Sequence, residues 1–211
     1  MKLYSYWRSS CSYRVRIALG LKGLAWDTAP VHLVKGEQQN ADYGAINPSQ
    51  LVPTLELDDG TRLTQSLAII DWLDATHPDP RLIPADALVR ARVLAASHVI
   101  AMDVQPVTNS GTVAHLKADY GASGEAGIDW MVHWMEKGFR AIQKQIEPAT
   151  PFCFGDQPGL ADICLIPQLY NAHRWGVDLS PFARLTEIEE TCLALPAFDA
   201  ARPEAQPDAD T

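Results

Sequence analysis

Two hydrophobic patterns alternate along the first part of the chain. Residues 2–6 alternate apolar and polar side chains, which predicts a strand, and apolar side chains then recur at helical spacing at Cys11, Val15, Ala18 and Leu19. Three further strands are predicted at 26–33, 50–57 and 62–64, the last two joined by a turn at 58–60. A helix is predicted at 67–76. This order, β-α-β-(α)-β-β-α, predicts an α/β domain over residues 1–81.

Helical periodicity dominates the rest of the chain. Prolines punctuate residues 76–86, which predict a linker. Helices are predicted at 87–104, 109–120, 128–146, Leu160–Trp175 and 187–195, the first of them stopping at Gln105-Pro106. The tail at 203–211 is acidic and rich in proline and alanine, which predicts disorder. The second domain, residues 86–211, is therefore predicted to be an all-α helical bundle with a disordered acidic tail.

The charge and the cysteine spacing exclude several classes of function. A formal net charge of −9 over 211 residues argues against nucleic acid or an anionic membrane surface as a partner. The first residues lack the apolar core of a signal peptide, and no later segment is apolar enough to cross a bilayer. The four cysteines and six histidines show no metal-ligand spacing, so no metal is predicted. Cysteines without paired spacing indicate free thiols and hence a cytoplasmic location.

A hydroxyl- and thiol-bearing segment stands where the first strand meets the first helix. Ser9, Ser10 and Cys11 lie at the predicted helix N-terminus, where unpaired N–H groups and the helix dipole favour negative charge. A thiolate placed there would be stabilised. A serine at this position can also be a simple N-cap. Cys11 could itself be a nucleophile, but residues 11–14 lack the second cysteine of a C-x-x-C, so only monothiol chemistry stays open for it.

Several strings together resemble the zeta class of the glutathione transferases over nearly the whole chain. They are SSCSYRVRIAL at 9–19, Asn47-Pro48 with Val52-Pro53-Thr54, QSLAII at 65–70, Gln105-Pro106 with Asn109, and Ala161-Asp162. The resemblance implies a thioredoxin-like domain that holds glutathione, an all-α second domain and a homodimer. It also implies a cis Val52–Pro53 peptide, so that Val52 offers its backbone to an extended peptide. Taken alone, Pro53 could merely start a strand.

The resemblance also implies a glutathione site, with Ser9, Ser10 and Cys11 as its catalytic group around the sulfur. Gln65 and Ser66 would hold the γ-glutamyl carboxylate at a second helix N-terminus. The implied glutathione-binding set is Ser9, Ser10, Cys11, Gln38, Val52, Gln65, Ser66, Gln105, Asn109 and Ser110. Gln39 competes with Gln38 for the glycyl end. Gln105 and Asn109, taken alone, would be ordinary surface residues.

Two arginines are expected to bind the substrate. Arg8 follows the first strand directly, and its guanidinium can hold a carboxylate with two hydrogen bonds. Arg174 matches a family arginine; alone it would be a cation favoured by a helix C-terminus, as Arg8 alone would be a solvated charge. The activity that the resemblance implies is glutathione-dependent cis–trans isomerisation of a small dianionic maleyl acid, with maleylpyruvate as the expected substrate. The alternatives are maleylacetoacetate, or general glutathione transferase or peroxidase activity.

One position departs from the family pattern. The family usually has serine or threonine three residues before Asp162, where it forms a capping box, and Gly159 stands there in this chain. Glycine is a tolerated N-cap, so we expect a cost of only about a few tenths of a kcal/mol and no effect on function.

Overall fold

The computed structural model describes residues 1–209, which belong to two compact units. Among these residues, the first unit comprises Met1–Leu82 together with 193–209, and the second comprises Ile83–Cys192. The α-helices are α1 (Ser10–Leu21), α2 (Ala41–Ile46), α3 (Ser66–Thr76), α4 (Ala87–His98), α5 (Gln105–Thr108), α6 (Ser110–Tyr120), α7 (Gly124–Ile142), α8 (Leu160–Trp175), α9 (Ala183–Leu193) and α10 (Pro196–Ala200). Shorter 3₁₀ turns lie at Leu33–Lys35, Glu37–Gln39, Ser180–Phe182 and Pro203–Ala205.

The first unit is built on a four-stranded mixed sheet. Its strands are β1 (Lys2–Ser5), β2 (Asp27–Pro30), β3 (Thr54–Glu56) and β4 (Arg62–Thr64). They lie in the order β2-β1-β3-β4, with β1 parallel to β2 and the other two pairs antiparallel. Leu3 on the central strand pairs with Thr28 on one side and Leu55 on the other, and both leucines are fully buried. The α/β fold predicted for this part of the chain is confirmed.

A buried ion pair joins the C-terminal ends of α1 and α3. The Lys22 ammonium lies 2.6 Å from the Asp74 carboxylate and also donates to the carbonyls of His77 and Pro80. The same carboxylate accepts a hydrogen bond from the N–H of Leu82 at 2.7 Å. Because the ammonium meets three oxygens and the carboxylate accepts two hydrogen bonds, the cost of burying the two charges is partly offset. The pair fixes α1 against α3, so it also fixes the spacing of their opposite, N-terminal ends.

The last helix, α10, packs on α1 in the first unit. Gly20 permits this close approach, because a Cβ at that position would lie 3.2 Å from the Cβ of Ala197. The hydroxyl of Tyr13 donates to the carbonyl of Phe198 at 3.4 Å, and Phe198 is fully buried. Residues 193–209 therefore group with residues 1–82 in this division of the chain, and the predicted domains 1–81 and 86–211 stay a prediction.

The tail that composition predicts to be disordered follows a defined path as far as residue 209. The Gln206 side chain donates to the carbonyls of Ala200 and Arg202, at 3.0 and 2.8 Å. The carboxylate of Asp208 accepts the backbone N–H of Trp7 at 3.0 Å. Composition misses this order because the partner lies at the other end of the chain. Asp210 and Thr211, which the same prediction covers, lie outside the described residues.

The first helix of the second unit does not stop at Gln105-Pro106 as predicted. After α4 ends at His98, a π-helical segment (Val99–Val104) leads directly into α5, which contains Pro106. The N–H of Gln105 donates to the carbonyl of Ile100, five residues back. This wider turn shifts the hydrogen-bond pattern just before a residue that has no N–H, so the helix continues.

Two helices of this unit begin earlier than the apolar period predicts. The first, α7, starts at Gly124 instead of 128, because the hydroxyl of Ser123 accepts the N–H of Ala126 at 3.0 Å and caps the helix. The second, α9, starts at Ala183 instead of 187, directly after a 3₁₀ turn. The bounds predicted for α8, Leu160–Trp175, are confirmed.

Gly138 of α7 allows a close contact that a larger residue would break. A Cβ at Gly138 would lie 2.2 Å from Cγ2 of Val104, a short branched side chain with little freedom to move. We therefore expect Gly138→Ala to lower the free energy of unfolding by about 1–3 kcal/mol. Gly124→Ala, in the same helix but with open space around it, is the control and should change it by less than about 1 kcal/mol. Equal effects of the two substitutions in urea unfolding would contradict this packing.

Candidate active site

Ser9 is the N-cap of α1. Its backbone is extended, and its hydroxyl oxygen accepts the N–H of Ser12 at 3.2 Å, so the capping role is confirmed. Capping uses a lone pair of the oxygen and leaves the hydroxyl proton available to a second partner. Ser10 is buried in the first turn and Cys11 is half-buried. The structure thus places all three residues at one helix N-terminus, where negative charge is favoured.

Arg14 joins this helix end to the start of α3. Its side chain is 1 % exposed, and its Nη1 lies 3.4 Å from Oγ of Ser66 and 3.8 Å from Sγ of Cys11. Its Nε and Nη2 are buried with no hydrogen-bond partner among the described residues. Burying a cation whose N–H groups have no acceptor costs free energy unless an anion or another acceptor binds there. The arrangement fits an anionic ligand held between the two helix ends.

Arg14 is the residue that sequence reasoning missed. It belongs to the string at 9–19, but only the serines and Cys11 of that string received a role. The available signal was its spacing: Arg14 follows Ser10 by four residues and Cys11 by three, which places the three side chains on one face of α1.

The start of α3 offers a second helix N-terminus. Ser66 is buried in its first turn, and Gln65 precedes it as an exposed N-cap residue with a φ of 68°. A positive φ costs a glutamine of order 1–3 kcal/mol, and such strain is concentrated at functional sites. The structure therefore brings Ser66 to Arg14, as a carboxylate site would require.

The loop before β3 presents Val52. The Val52–Pro53 peptide is cis, as the resemblance implies. The hydroxyl of Tyr43 and the side-chain amide of Asn47 both donate to the carbonyl of Leu51, at 2.8 and 2.7 Å. Burial raises the pKa of Tyr43, so its hydroxyl stays protonated as a donor. These bonds hold the backbone directly before Val52 in place.

Gln38 and Gln39 differ in their surroundings. The carboxylate of Glu37 accepts the N–H of His32 at 2.6 Å and anchors the 3₁₀ turn that holds both glutamines. The Oε1 of Gln38 is buried without a hydrogen-bond partner among the described residues, whereas Gln39 is exposed. Because buried acceptors normally receive a hydrogen bond, the buried oxygen of Gln38 favours this residue over Gln39 as a ligand contact.

Arg8 lies on an aromatic surface. Its guanidinium is 4.4 Å from the ring centroid of Trp7, and its Nη2 donates to the hydroxyl of Tyr6 at 3.1 Å. Its Nε is buried without a hydrogen-bond partner in the described part of the chain. A half-buried, stacked guanidinium is not the solvated charge that Arg8 would be by itself.

Arg16 anchors the loop that carries Arg8 and Ser9. It is fully buried and donates to the carbonyl of Trp7 at 2.9 Å, the hydroxyl of Ser5 at 3.2 Å and the carbonyl of Ala201 at 3.1 Å. Burial lowers the pKa of Arg16 to about 10, so the group remains a cation at neutral pH. One side chain thus connects β1, the loop after it and the segment that follows α10.

The predicted residues of the second unit lie at its helix ends. Gln105 is half-buried in the first turn of α5, and Asn109 caps α6 by accepting the N–H of Gly111 at 2.8 Å. Ser110 is exposed at the start of α6. Arg174 is exposed in the last turn of α8, with its guanidinium 4.6 Å from the ring centroid of Trp175. Their binding roles stay predictions.

Asp162 compensates for the glycine at the start of α8. One oxygen of its carboxylate accepts the N–H of Gly159 at 2.9 Å, and the other accepts the N–H of Cys153 at 2.8 Å. The N-cap glycine thus still receives the return hydrogen bond of a capping box. The two bonds partly offset the burial that raises the pKa of this carboxyl.

The cysteines separate into one accessible thiol and three internal ones. Cys11 is half-buried, whereas Cys153, Cys164 and Cys192 are buried, and none of the four forms a disulfide. Burial raises the pKa of Cys153 and of Cys192, which therefore stay protonated and inert. Within residues 1–209, no three histidine, cysteine or acidic side chains group as metal ligands would, and no helix has the length and apolarity to cross a membrane.

Both halves of the chain match families of known domains. Residues 8–76 match the family described as "Glutathione S-transferase, N-terminal domain", and residues 135–203 match "Glutathione S-transferase, C-terminal domain". The maleylacetoacetate isomerase of Rhizobium meliloti is 46 % identical over 204 residues, which cover 96 % of this chain and 95 % of that protein.

Solved structures match over the full length. A bacterial maleyl pyruvate isomerase, described as a zeta-class glutathione transferase, superposes with a TM-score of 0.96 at 41 % identity, and the match covers 100 % of each chain. This chain belongs to the zeta class of the glutathione transferases. The maleylacetoacetate isomerase of Methylobacterium extorquens AM1, solved with bound malonate and glutathione, also gives a TM-score of 0.96, at 34 % identity and with 100 % of each chain covered.

The contacts of Arg16 predict a large contribution of its side chain to the free energy of unfolding of this zeta-class chain. We expect Arg16→Met to lower the free energy of unfolding by about 2 kcal/mol or more, because three acceptors lose their buried donor. Arg81→Met, which removes a half-exposed arginine 3.8 Å from Asp74, should cost less than about 1 kcal/mol. Urea unfolding of both variants checks the difference, and similar losses would mean that Arg16 does not anchor the loop.

Proposed function

We propose that this chain is a glutathione-dependent cis–trans isomerase that converts maleylpyruvate to fumarylpyruvate, a step of aromatic compound breakdown. The observation that carries the proposal is the buried guanidinium of Arg14, which lies between two helix N-termini with two donors unfilled. Membership of a class whose solved relatives include a maleyl pyruvate isomerase supports the choice of reaction.

The groups at the start of α1 suit an ionised sulfur. Bound glutathione would supply a thiolate whose reversible addition turns the double bond into a single bond and so permits rotation. The hydroxyl protons of Ser9 and Ser10, together with the N-terminus of α1, would stabilise the anionic sulfur. Arg14, 3.8 Å from Sγ of Cys11, adds a positive charge at the same helix end. Cys11 would line the sulfur pocket.

The rest of the tripeptide would lie along the first unit. Ser66 and Gln65, at the start of α3, would hold the γ-glutamyl carboxylate, with Arg14 as its cation. The backbone of Val52 would pair with the extended peptide, and Gln38 would contact the glycyl end. Gln105, Asn109 and Ser110 of the second unit complete the proposed glutathione-binding set.

A dianionic substrate requires cations of its own in a chain with a net charge of −9. Arg8, stacked on Trp7, would grip one carboxylate with two hydrogen bonds, and its held position limits the entropy lost on binding. Arg174 is proposed for the second anionic group. Fixed cations would also stabilise negative charge that develops on the substrate oxygens.

The proposal includes a cytoplasmic homodimer. Free thiols, one of them half-buried, suit a reducing compartment. Large apolar side chains are exposed on helical segments of the second unit, among them Leu88, Val89 and Met102, as a subunit interface would require.

The proposed activity is tested by turnover itself. We expect maleylpyruvate to be isomerised with glutathione and not without it, as followed by the absorbance of the substrate. Maleylacetoacetate is the second candidate, favoured by the 46 % identity to the Rhizobium meliloti isomerase. A higher kcat/KM for maleylacetoacetate would reassign the substrate. Preferred turnover of a neutral aryl halide would replace the proposal by a general transferase, and an absence of glutathione binding would leave a non-enzymatic module.

Cys11 separates isomerisation from thiol-transfer chemistry. We expect Cys11→Ala to reduce the isomerase kcat only in part, because glutathione supplies the nucleophile. The loss should be below about tenfold, whereas Ser9→Ala, which removes a donor to the sulfur, should cost about 10²-fold. Complete loss of activity in Cys11→Ala with wild-type glutathione affinity would favour a monothiol transferase.

Arg14 should act on the ligand more than on the fold. Because its Nε and Nη2 have no hydrogen-bond partner within residues 1–209, Arg14→Met should leave the melting temperature unchanged or raise it. The same substitution should weaken glutathione binding about tenfold and raise the pKa of the bound thiol by about one unit. The thiolate absorbance of the complex, titrated with pH, measures that pKa.

The control for Arg14 is Arg62→Met, which removes an exposed arginine paired with Glu56. It should change neither glutathione affinity nor the pKa of the thiol. Normal binding in Arg14→Met would refute a site at Arg14.

A further inference from the structure

The two ends of the chain meet at Trp7. The backbone N–H of Trp7 donates to Oδ2 of Asp208 at 3.0 Å, and its backbone carbonyl accepts from Arg16 at 2.9 Å. Both polar groups of one peptide position are therefore held by charged side chains, one of them 201 residues away. Hydrogen bonds to charged groups are stronger than neutral ones.

The end of the chain reaches this position as an ordered segment. Gln206 holds it back against Ala200 and Arg202 through its side chain. Ala209 packs against the apolar cluster that includes Tyr6, Trp7 and Val52. The N–H of Ala209 donates to the carbonyl of Gln206 at 3.0 Å, which closes a turn around Asp208.

We propose that Asp208 is a positioning residue for substrate binding, because it fixes Trp7 and thereby the aromatic face on which Arg8 lies. The proposal rests on the proposed function, in which Arg8 binds a substrate carboxylate. Arg8 directly follows Trp7, so a shift of the Trp7 backbone moves Arg8, whereas Ser9 is held separately as the N-cap of α1 by the N–H of Ser12. The second oxygen of Asp208, Oδ1, is buried without a hydrogen-bond partner among the described residues, so the carboxylate is directed into the protein.

The segment 203–209 therefore acts as a latch on the first loop. Arg16 joins the same network, since it donates both to Trp7 and to Ala201, just ahead of the latch. Arg16 holds the carbonyl of Trp7 from inside the unit, and Asp208 holds the N–H from the end of the chain. Without Asp208, Trp7 keeps its contact with Arg16 but loses one of its two fixed points.

The test uses the full chain and two readouts. For Asp208→Ala, we expect the amide hydrogen of Trp7 to exchange at least about tenfold faster with solvent. Malonate, a dicarboxylate probe, should bind about tenfold more weakly to the glutathione complex in calorimetry, because Arg8 is no longer held in its binding position. Glutathione itself should bind within about threefold of wild type, because its proposed contacts stay in place.

Conservative and matched variants separate positioning from simple destabilisation. Asp208→Asn keeps an oxygen that can accept from Trp7, so it should restore most of the malonate affinity and of the protection of the Trp7 amide. Asp208→Ser has a shorter acceptor, so its malonate affinity and Trp7 protection should lie between those of the asparagine and alanine variants. If the alanine variant does not fold, comparison of Asp208→Ser with Asp208→Asn tests the role. Asp199→Ala removes an exposed acid, paired with Arg202 just before the segment 203–209, and should change neither readout.

Either of two results overturns the positioning role. The first is a malonate affinity that is unchanged when Trp7 loses protection. The second is an equal loss of malonate affinity, glutathione affinity and melting temperature in every Asp208 variant, which marks a purely structural contact. Failure of the proposed function can be told apart from failure of the positioning role. If the wild-type chain does not isomerise a maleyl acid, the proposed function fails, and faster amide exchange of Trp7 in Asp208→Ala can still be measured.

Discussion

The first unit depends on how α1 accommodates two buried guanidinium groups. Arg16 satisfies its charge with three oxygens, which come from the end of β1, from the loop after it and from the segment after α10. Arg14, half a turn away, contacts one hydroxyl and one sulfur, and two of its nitrogens have no acceptor in the described part of the chain. A buried charge is stable only with hydrogen-bond partners. Arg16 therefore fixes the local fold through its partners, and Arg14 favours the binding of an anion.

The candidate site reuses the ends of ordinary secondary structure. Ser9 caps α1 and still has a proton to donate, and Ser66 opens α3 while it contacts Arg14. Each helix end supplies unpaired N–H groups, so the two ends attract negative charge without dedicated side chains. Arg8 and Arg14 then provide local positive charge against the field of a chain with a net charge of −9.

The division of the chain in space differs from its division into family domains. The match to the C-terminal domain family extends to residue 203, whereas residues 193–209 group with the first unit. Buried contacts of Phe198 and Ala201, together with Asp208 at Trp7, explain this arrangement. The end of the chain is thus part of the unit that carries the proposed thiolate site.

The local pattern of the sequence was sufficient to predict the β-α-β-(α)-β-β-α order of the first unit, the helical second half and α8, because periodicity and caps act between neighbouring residues. It was also sufficient to place Ser9, Ser10 and Cys11 at a helix start. It could not reveal the continuation of the helix through Pro106, the pairing of Arg14 with Ser66, or the return of Asp208 to Trp7. The first needs an i→i−5 hydrogen bond that a proline rule does not anticipate, and the others join residues 52 and 201 positions apart. Contacts of that kind arise only when the folded backbone brings distant segments together, so the tertiary structure alone decided them.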